Sequence, residues 1–279
     1  MNLSRCFPEL DYKQVRALRK DFYKHFGELF AEAMWFGGTD RDPAKIRKTG
    51  IAKVTNAPML TGALSRGDVM LLCSHFGNWE LTSGLLEAMR GEDGTLPVTP
   101  DKPKVVYKRL RSPFWDDFLR ENRTAPLPPD YGGYLESSQI LRYALSHRGE
   151  RNLYIFPVDQ YPYRGAAYCT VPSFMNQETR FMTGAAALSR KLHMSVLYMS
   201  FDRKERGHYE VTFREVCEDA SKMGTEDIVR VYAGMLEEDI RRNPFNYLWS
   251  HRRWKKPGDA PSPAKKAAAN SATASVRQQ

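Results

Sequence analysis

The sequence contains no run of about 18 consecutive apolar residues, the length that a helix needs to span a bilayer. Its first residues also lack the charged and apolar regions of a secretory signal peptide. The few cysteines lie far apart and form no C-x-x-C pair, which is typical of a reduced protein that faces the cytosol: Cys6, Cys73, Cys169 and Cys217. We therefore expect a soluble or peripheral protein.

Several motifs that would assign the chain to a nucleic-acid-binding or hydrolytic class are also missing. The sequence has no zinc-finger spacing, no G-x-x-x-x-G-K-[ST] motif and no RNP-like aromatic motif, which disfavours nucleic acid as a partner. It has no H-E-x-x-H metal motif and no G-x-S-x-G nucleophile elbow. The formal net charge of +9 nevertheless favours an anionic partner, such as anionic lipid head groups or an acidic protein.

The remaining sequence alternates between strand and helix patterns. Short apolar runs predict strands at 69–73, 105–107, 153–156, 196–201 and 209–213. Helical spacing predicts helices at 55–65, 78–90, 134–147, 177–192 and 225–242. The last two strands are joined by residues 203–207, which suit a hairpin. This alternation predicts an α/β fold with a central sheet flanked by helices.

The two ends of the chain differ from this pattern. Residues 11–36 predict an amphipathic N-terminal helix with Asp11 as its N-cap. Its apolar positions follow a helical spacing: Val15, Leu18, Phe22, Phe26, Leu29, Ala33 and Phe36. Such a helix either packs on the core or lies on a membrane surface. Residues 257–279 are of low complexity and predict a disordered tail, so the domain is expected to span residues 1–256.

The segment C-S-H-F-G-N-W-E at 73–80 places a histidine and a carboxylate on the turn between a buried strand and a helix. Ligand chemistry collects at such turns in α/β proteins. The imidazole of His75 is a natural general base near neutral pH, and Glu80 can orient it and stabilise its cation. Gly77 permits a tight turn, and Asn78 can cap a helix whose amide groups would face an anion.

No protein nucleophile accompanies His75. Ser74 is its neighbour on an extended strand, where adjacent side chains point to opposite faces. A base without a protein nucleophile indicates that a substrate hydroxyl attacks, as in acyl transfer to an alcohol. Three alternatives remain open from these residues: a core histidine with a surface glutamate, a hydrolase that activates water, and a non-catalytic basic protein that docks on anionic membranes or nucleic acid.

The H-F-G-N-W-E segment resembles the H-x4-[D/E] box of the lysophospholipid acyltransferase superfamily. Its G-N-W-E form is similar to the late (lauroyl/myristoyl) acyltransferases of lipid A biosynthesis. Other segments resemble this family in the same order: N-L with C-F-P-E at 2–9, V-Y-K with S-P at 106–113, P-V-D-Q at 157–160, V-P-S-F with T-G at 171–184, and Y-L-W-S-H-R-R-W-K at 247–255. The resemblance covers about residues 2–256.

The resemblance implies a glycerol-3-phosphate-acyltransferase-like fold with a central mixed β-sheet. It implies transfer of a fatty acyl chain from acyl carrier protein to a hydroxyl of a lipid A precursor or related glycolipid, without a metal or redox cofactor. His75 would be the general base and Glu80 its partner. The expected location is the cytoplasmic face of the inner membrane of a Gram-negative bacterium.

The same resemblance implies that Lys108, Arg109 and Arg111 contact the phosphate or sugar of the acceptor, unless they form a solvated basic strand end. The family has Arg-Pro where this sequence has Lys108-Arg109, and lysine is a point charge that cannot form a bidentate fork. We expect Asp159 and Gln160, which would otherwise suit a turn-capping pair, to line the cleft together with Asn78.

Other basic residues are less specific. Arg164 and Arg180 suit surface positions, and residues 251–256 form a basic aromatic end. This end either packs at the end of a helix or contacts anionic head groups or the carrier protein. Family members have an apolar anchor before the N-L segment, which here begins at the second residue. We therefore expect a truncated or misassigned start, or a peripheral variant with Trp35 and Phe36 as interfacial anchors.

Overall fold

The computed structural model describes residues 3–38, 42, 44–109, 112–125, 127–128 and 130–254. Its strands are β1 (Ala52–Val54), β2 (Val69–Cys73), β3 (Pro103–Tyr107), β4 (Tyr134–Glu136), β5 (Leu153–Pro157), β6 (Tyr168–Phe174), β7 (Gln177–Met182), β8 (Ser195–Glu205) and β9 (His208–Cys217). Its α-helices are α1 (Leu3–Cys6), α2 (Tyr12–Phe36), α3 (Lys45–Thr49), α4 (Ala57–Arg66), α5 (Leu85–Ala88), α6 (Pro113–Thr124), α7 (Ile140–Ser146), α8 (Gly184–Leu192) and α9 (Thr225–Arg242). The predicted tail at 257–279 lies outside the described residues.

A seven-stranded sheet forms the centre of this region, in the order β1-β9-β8-β2-β5-β3-β4. The five strands from β8 to β4 run parallel, whereas β9 is antiparallel to β8 and parallel to β1. The predicted α/β fold with a central mixed sheet and flanking helices is confirmed. Because β2, β5 and β3 are parallel neighbours, the residues that follow Cys73, Pro157 and Tyr107 meet at one edge of the sheet.

The central strand β2 is buried on both faces. Val69, Leu71 and Cys73 pack into the hydrophobic cluster on one side of the sheet, and Met70 and Leu72 pack into the cluster on the other. Full burial of each aliphatic side chain contributes about 1.5–3 kcal/mol relative to exposure. The strand is therefore a firmly held support for the residues at its carboxyl end.

Helix α2 begins as predicted at Asp11, which forms a capping box with Gln14. Its apolar stripe, including Phe22 and Leu29, packs on the protein core. Phe36 is also buried, so its expected role as an interfacial anchor is wrong, whereas Trp35 is 40% exposed. Among the described residues, every helix is too short or too polar to cross a bilayer.

The predicted elements differ from the structure at three places. The helix expected at 134–147 starts with strand β4, and the helix expected at 177–192 starts with strand β7. In β7, buried and exposed residues alternate with a period of two, because the strand pairs with β6 in a separate hairpin. The helix expected at 78–90 is a 3₁₀ helix (Trp79–Gly84) followed by α5. The hairpin expected at 203–207 is confirmed, since Glu205 pairs with His208.

Candidate active site

Two neighbouring strand ends bring His75 and Asp159 together. Cys73 of β2 pairs with Pro157 of β5, and each functional residue follows its strand by two positions. His75 Nδ1 lies 2.8 Å from Asp159 Oδ1, and the backbone N–H of His75 donates to Asp159 Oδ2 over 3.1 Å. One carboxylate therefore fixes both the ring and the backbone of His75.

The turn after His75 is held by the segment that follows α9. Gly77 has a φ of +70°, and a Cβ at this position would lie 1.6 Å from the carbonyl oxygen of Phe201, so only glycine fits. The N–H of Gly77 donates to the Asn246 carbonyl, and the N–H of Leu248 donates to the His75 carbonyl, each over 3.0 Å. Residues 246–248 thus hold the histidine turn (residues 75–78) through two backbone hydrogen bonds.

The Asp159 carboxylate is buried but stays ionised. Burial alone would raise its pKa, yet the positive charge of protonated His75, the hydrogen bonds from His75 and the Arg253 guanidinium hold the pKa below its ordinary value. Burial likewise raises the pKa of the Tyr247 hydroxyl, and the nearby Asp159 charge raises it further. Asp159 is therefore a permanent negative charge beneath the imidazole near neutral pH.

The basic C-terminal segment supplies that buried guanidinium. Arg253 donates to the Arg180 carbonyl over 2.6 Å and lies 4.5 Å from the centre of the Phe181 ring. Burial lowers its pKa, against the effect of Tyr247 and Asp159. Trp254 donates to Thr179 Oγ1 over 2.7 Å. In the described part of this segment, the packing interpretation holds for Arg253 and Trp254.

The second ring nitrogen of His75 faces a large cavity. Because the Asp159 carboxylate only accepts hydrogen bonds, Nδ1 carries a proton, and in the neutral imidazole the lone pair lies on Nε2. The Gln160 amide nitrogen is 3.2 Å from Nε2, and the edge of the Trp79 indole packs against the ring with centroids 4.9 Å apart. His75 and Gln160 both line the cavity, so this lone pair is accessible to a bound molecule.

Glu80 is not the hydrogen-bonding partner of His75 in this structure, which corrects the prediction. Its two carboxylate oxygens each accept a 2.7 Å hydrogen bond from Arg123 on α6, and one also accepts from the Trp79 indole. Burial would raise the pKa of Glu80, but Arg123 outweighs it and lowers the pKa. The physical reason is the 3₁₀ helix, whose first turn directs Glu80 towards α6. A role for Glu80 in catalysis stays a prediction.

Asn78 has a structural contact where a substrate contact was expected. It is fully buried and donates to Glu32 of α2 over 2.8 Å, while Tyr209 donates to the same Glu32 oxygen over 2.7 Å. Its side chain makes no cap hydrogen bond to the 3₁₀ helix. Asn78 therefore fastens the histidine turn to α2, because the tight turn at Gly77 directs it into the protein.

The predicted acceptor block lies at the carboxyl end of β3, beside the cavity. Lys108 lines the cavity, and its ammonium group lies 3.5 Å from the centre of the Tyr163 ring. Arg109 is largely exposed and lies 3.6 Å from the Asp116 carboxylate. Arg111 lies outside the described residues. Substrate contacts of all three stay predictions.

Two further residues predicted at the surface are exposed. Arg164 is exposed, and Arg180 is exposed with its guanidinium 4.9 Å from the centre of the Tyr168 ring. Sequence reasoning missed Arg123, the cation bound to Glu80. The sequence signal for its helix is Ser112-Pro113, a typical N-cap and first-turn pair.

The cavity has a volume of about 830 Å³, within the usual range of small-molecule sites. One part of its wall is buried and aliphatic: Val106, Ile140, Ile155, Val158 and Leu188. Cationic side chains also line it: Lys108, Arg120, Arg123 and Lys191. The acids Glu80 and Asp116 in its wall are each paired with an arginine. The arrangement suits an apolar chain bound next to anionic groups and a histidine base.

The chain was compared with curated proteins and with protein-family models. A search of curated proteins returned no match. The family model for bacterial lipid A biosynthesis acyltransferases matches residues 1–256, which include His75, the residues that line the cavity and the Y-L-W segment. The chain is therefore an acyltransferase that belongs to the bacterial lipid A biosynthesis acyltransferase family.

Proposed function

We propose that this enzyme moves a fatty acyl chain from the thioester of acyl carrier protein to a hydroxyl of a lipid A precursor or related glycolipid. The observation that carries the proposal is His75, held by Asp159 with Nε2 facing a cavity that is partly aliphatic and partly cationic. The family supports a lipid acceptor and an acyl donor. The carrier protein and the acceptor are our proposals.

The chemistry needs one proton carrier and no protein nucleophile. The acceptor hydroxyl gives its proton to His75 Nε2 as its oxygen attacks the thioester carbonyl. The resulting tetrahedral intermediate collapses when its carbon–sulfur bond breaks, and the leaving thiolate takes the proton back from the imidazolium. Asp159 stabilises the imidazolium between these steps, because its carboxylate lies 2.8 Å from Nδ1.

Gln160 and Glu80 influence this proton transfer without carrying the proton. The Gln160 amide lies against the Nε2 lone pair, so the acceptor hydroxyl must displace or share this contact to be deprotonated. Glu80 interacts with His75 through charge, and its own hydrogen bonds go to Arg123 and Trp79. We propose that Asp159 orients the base, and that Glu80 adds negative charge while it fastens α6 at the cavity wall.

The cavity wall suits the two substrates. Each methylene of a fatty acyl chain that leaves water contributes about 0.8 kcal/mol, so the aliphatic wall favours the donor chain. Lys108, Arg120 and Lys191 favour phosphate groups on the acceptor or acidic side chains of the carrier. Because the acceptor is a membrane lipid, we propose that the enzyme works at the cytoplasmic surface of the inner membrane.

The test is acyl transfer from acyl carrier protein to a lipid A precursor and to a panel of other membrane lipids, read by mass spectrometry. Wild type is compared with His75→Ala and with His208→Ala, a control histidine that is exposed at the start of β9. We expect transfer in wild type and His208→Ala and none in His75→Ala. Transfer that persists in His75→Ala would refute the base. Free fatty acid without an acylated lipid would indicate a hydrolase.

A further inference from the structure

Helix α6 exposes a cluster of aromatic side chains to solvent. Phe114 is 68% exposed and Trp115 is 52% exposed. Together with the half-buried Phe118 they form an aromatic ridge, with ring centroids 5.2 to 6.3 Å apart. Large apolar side chains that cluster in water are costly, and such clusters mark surfaces that contact a membrane or another molecule.

The ridge borders the cavity. On the adjoining face of α6, Asp116, Leu119 and Arg123 line the cavity at a helical spacing of three and four residues. Leu141 on α7 and Tyr163 after β5 line the same cavity and are also exposed. Exposed apolar groups therefore lie in the cavity wall and on the neighbouring face of α6.

Among the described residues that line the cavity, cations outnumber acids. Lys108, Arg120 and Lys191 line the cavity with Arg123, while its acids Glu80 and Asp116 face arginines. On the outer side of α6, Asp117 pairs with Arg120, and Glu121 is exposed. Aromatic side chains among cations are typical of surfaces that lie at the head groups of an anionic bilayer.

We propose that the aromatic ridge (Phe114, Trp115 and Phe118) inserts into the head-group region of an anionic bilayer, with the cavity open to the membrane beside it. The inference rests on the proposed function, because an enzyme with a lipid acceptor needs a cavity that is accessible from the membrane. An acceptor with its chains in the bilayer then reaches His75 without leaving the membrane completely.

Helix α2 is the competing surface, and it offers matched controls. Tyr23 and Phe30 are each 54% exposed, close to the values for the ridge. The exposed Trp35 carries Lys45 over its ring, 5.4 Å from the centroid. However, the described residues that line the cavity include none from α2. Insertion of α2 would therefore not by itself place the cavity opening at the membrane.

The first test measures tryptophan quenching by brominated lipids in vesicles of phosphatidylcholine with about one-third phosphatidylglycerol. The full chain is compared with Trp115→Phe and Trp35→Phe, which exchange exposed tryptophans conservatively. We expect vesicles to quench wild type and Trp35→Phe, and the quenchable fraction to disappear in Trp115→Phe. Loss in Trp35→Phe instead, or no quenching of wild type, would overturn the proposal.

The second test measures vesicle binding by flotation. Phe114→Ser with Trp115→Ser is expected to weaken binding at least about tenfold, because two aromatic groups lose their apolar contact. Tyr23→Ser with Phe30→Ser is the matched control and is expected to bind like wild type. Equal weakening in both pairs would refute the assignment to α6, as would equal binding to vesicles without phosphatidylglycerol. Circular dichroism checks that each variant is folded.

Both measurements work without turnover. Failure of the proposed acyl transfer would therefore leave the quenching result interpretable, and a missing quenching difference would not affect the test of His75. If the ridge docks as proposed, the double ridge variant also raises the apparent KM for a vesicle-bound acceptor, with little change for the same acceptor in detergent micelles.

Discussion

Asp159 and Glu80 are two largely buried carboxylates that differ in what they bind. Asp159 binds the imidazole and the backbone of His75 directly, with Arg253 behind it. Glu80 binds Arg123 on α6 and the neighbouring Trp79 indole. Both have a pKa below the ordinary value because hydrogen bonds and nearby positive charge outweigh burial. The same chemical group therefore orients a base in one place and fastens a cavity wall in the other.

The difference follows from the supporting elements. Asp159 lies at the end of β5, the direct neighbour of β2, so the sheet register places it beside His75. Glu80 comes from the same turn as the histidine but lies in a 3₁₀ helix, which turns it towards α6. Asp159 contacts His75 although the two are 84 residues apart in sequence. Glu80 is only five residues from His75 but binds other residues.

The largest effect in this comparison is expected for Asp159→Asn. The amide keeps the shape but removes the charge that holds the tautomer and stabilises the imidazolium, so kcat should fall about 10²–10⁴-fold. Initial rates at saturating acceptor measure this loss, and thermal unfolding checks the fold. A matched control is Asp117→Asn, an exposed α6 carboxylate paired with Arg120. Near-normal kcat in folded Asp159→Asn would contradict the orienting role.

The next effect concerns stability and belongs to the other carboxylate. Arg123→Met leaves the buried Glu80 carboxylate without its cation and should destabilise the protein by about 2 kcal/mol. The double variant with Glu80→Gln removes both charges and should recover part of that loss. Urea unfolding of the single and double variants measures the coupling. Additive losses would show that the pair is not an energetic unit.

Much of the fold could be predicted because its signals are local. The β2 pattern, the Asp11 cap of α2 and the hairpin before His208 depend on a few adjacent residues. Strands β6 and β7 were missed because their hairpin is stabilised by pairing and by the buried Arg253 and the partly buried Trp254, which lie more than 70 residues later in the sequence. Such long-range contacts leave little trace in a local window.

The site shows the same limit. His75 was identified from its position on a strand-to-helix turn, and Gln160 was predicted beside the cleft that it lines. The sequence spacing suggested Glu80 as the partner of His75 because the two are five residues apart. It gave no register for β2 and β5, and so could not show that Asp159 reaches Nδ1. Asn78 was misassigned since its partner Glu32 is on α2.

A smaller effect on kcat is expected for Glu80→Gln. This change removes a negative charge near His75 but leaves the Asp159 hydrogen bond in place, so we expect a loss of about tenfold, clearly below that of Asp159→Asn. Parallel kinetics of the two isosteric variants measure the ratio. If Glu80→Gln lost as much kcat as Asp159→Asn while remaining folded, Glu80 would have a role as important as that of Asp159 in supporting His75 during the reaction.

The smallest effect is a change in acid sensitivity. The pKa of Glu80 is lower in the folded protein than in the unfolded chain, so its ion pair stabilises the fold above the ordinary carboxyl pKa of about 4.3. That contribution is lost as pH falls through the folded pKa. The free energy of unfolding of wild type should therefore exceed that of Glu80→Gln at pH 6 and approach it in stronger acid.

Urea unfolding of both proteins between pH 6 and the acid limit of folding measures this difference. Asp159 shifts in the same direction, but it is present in both proteins and largely cancels in the subtraction. Glu238→Gln serves as the control, because its exposed pair with Arg214 should contribute little at any pH. A difference between wild type and Glu80→Gln that stays constant with pH would mean that the charge of Glu80 is not what fastens α6. The contribution of Glu80 to stability would then come from contacts that do not depend on its ionisation.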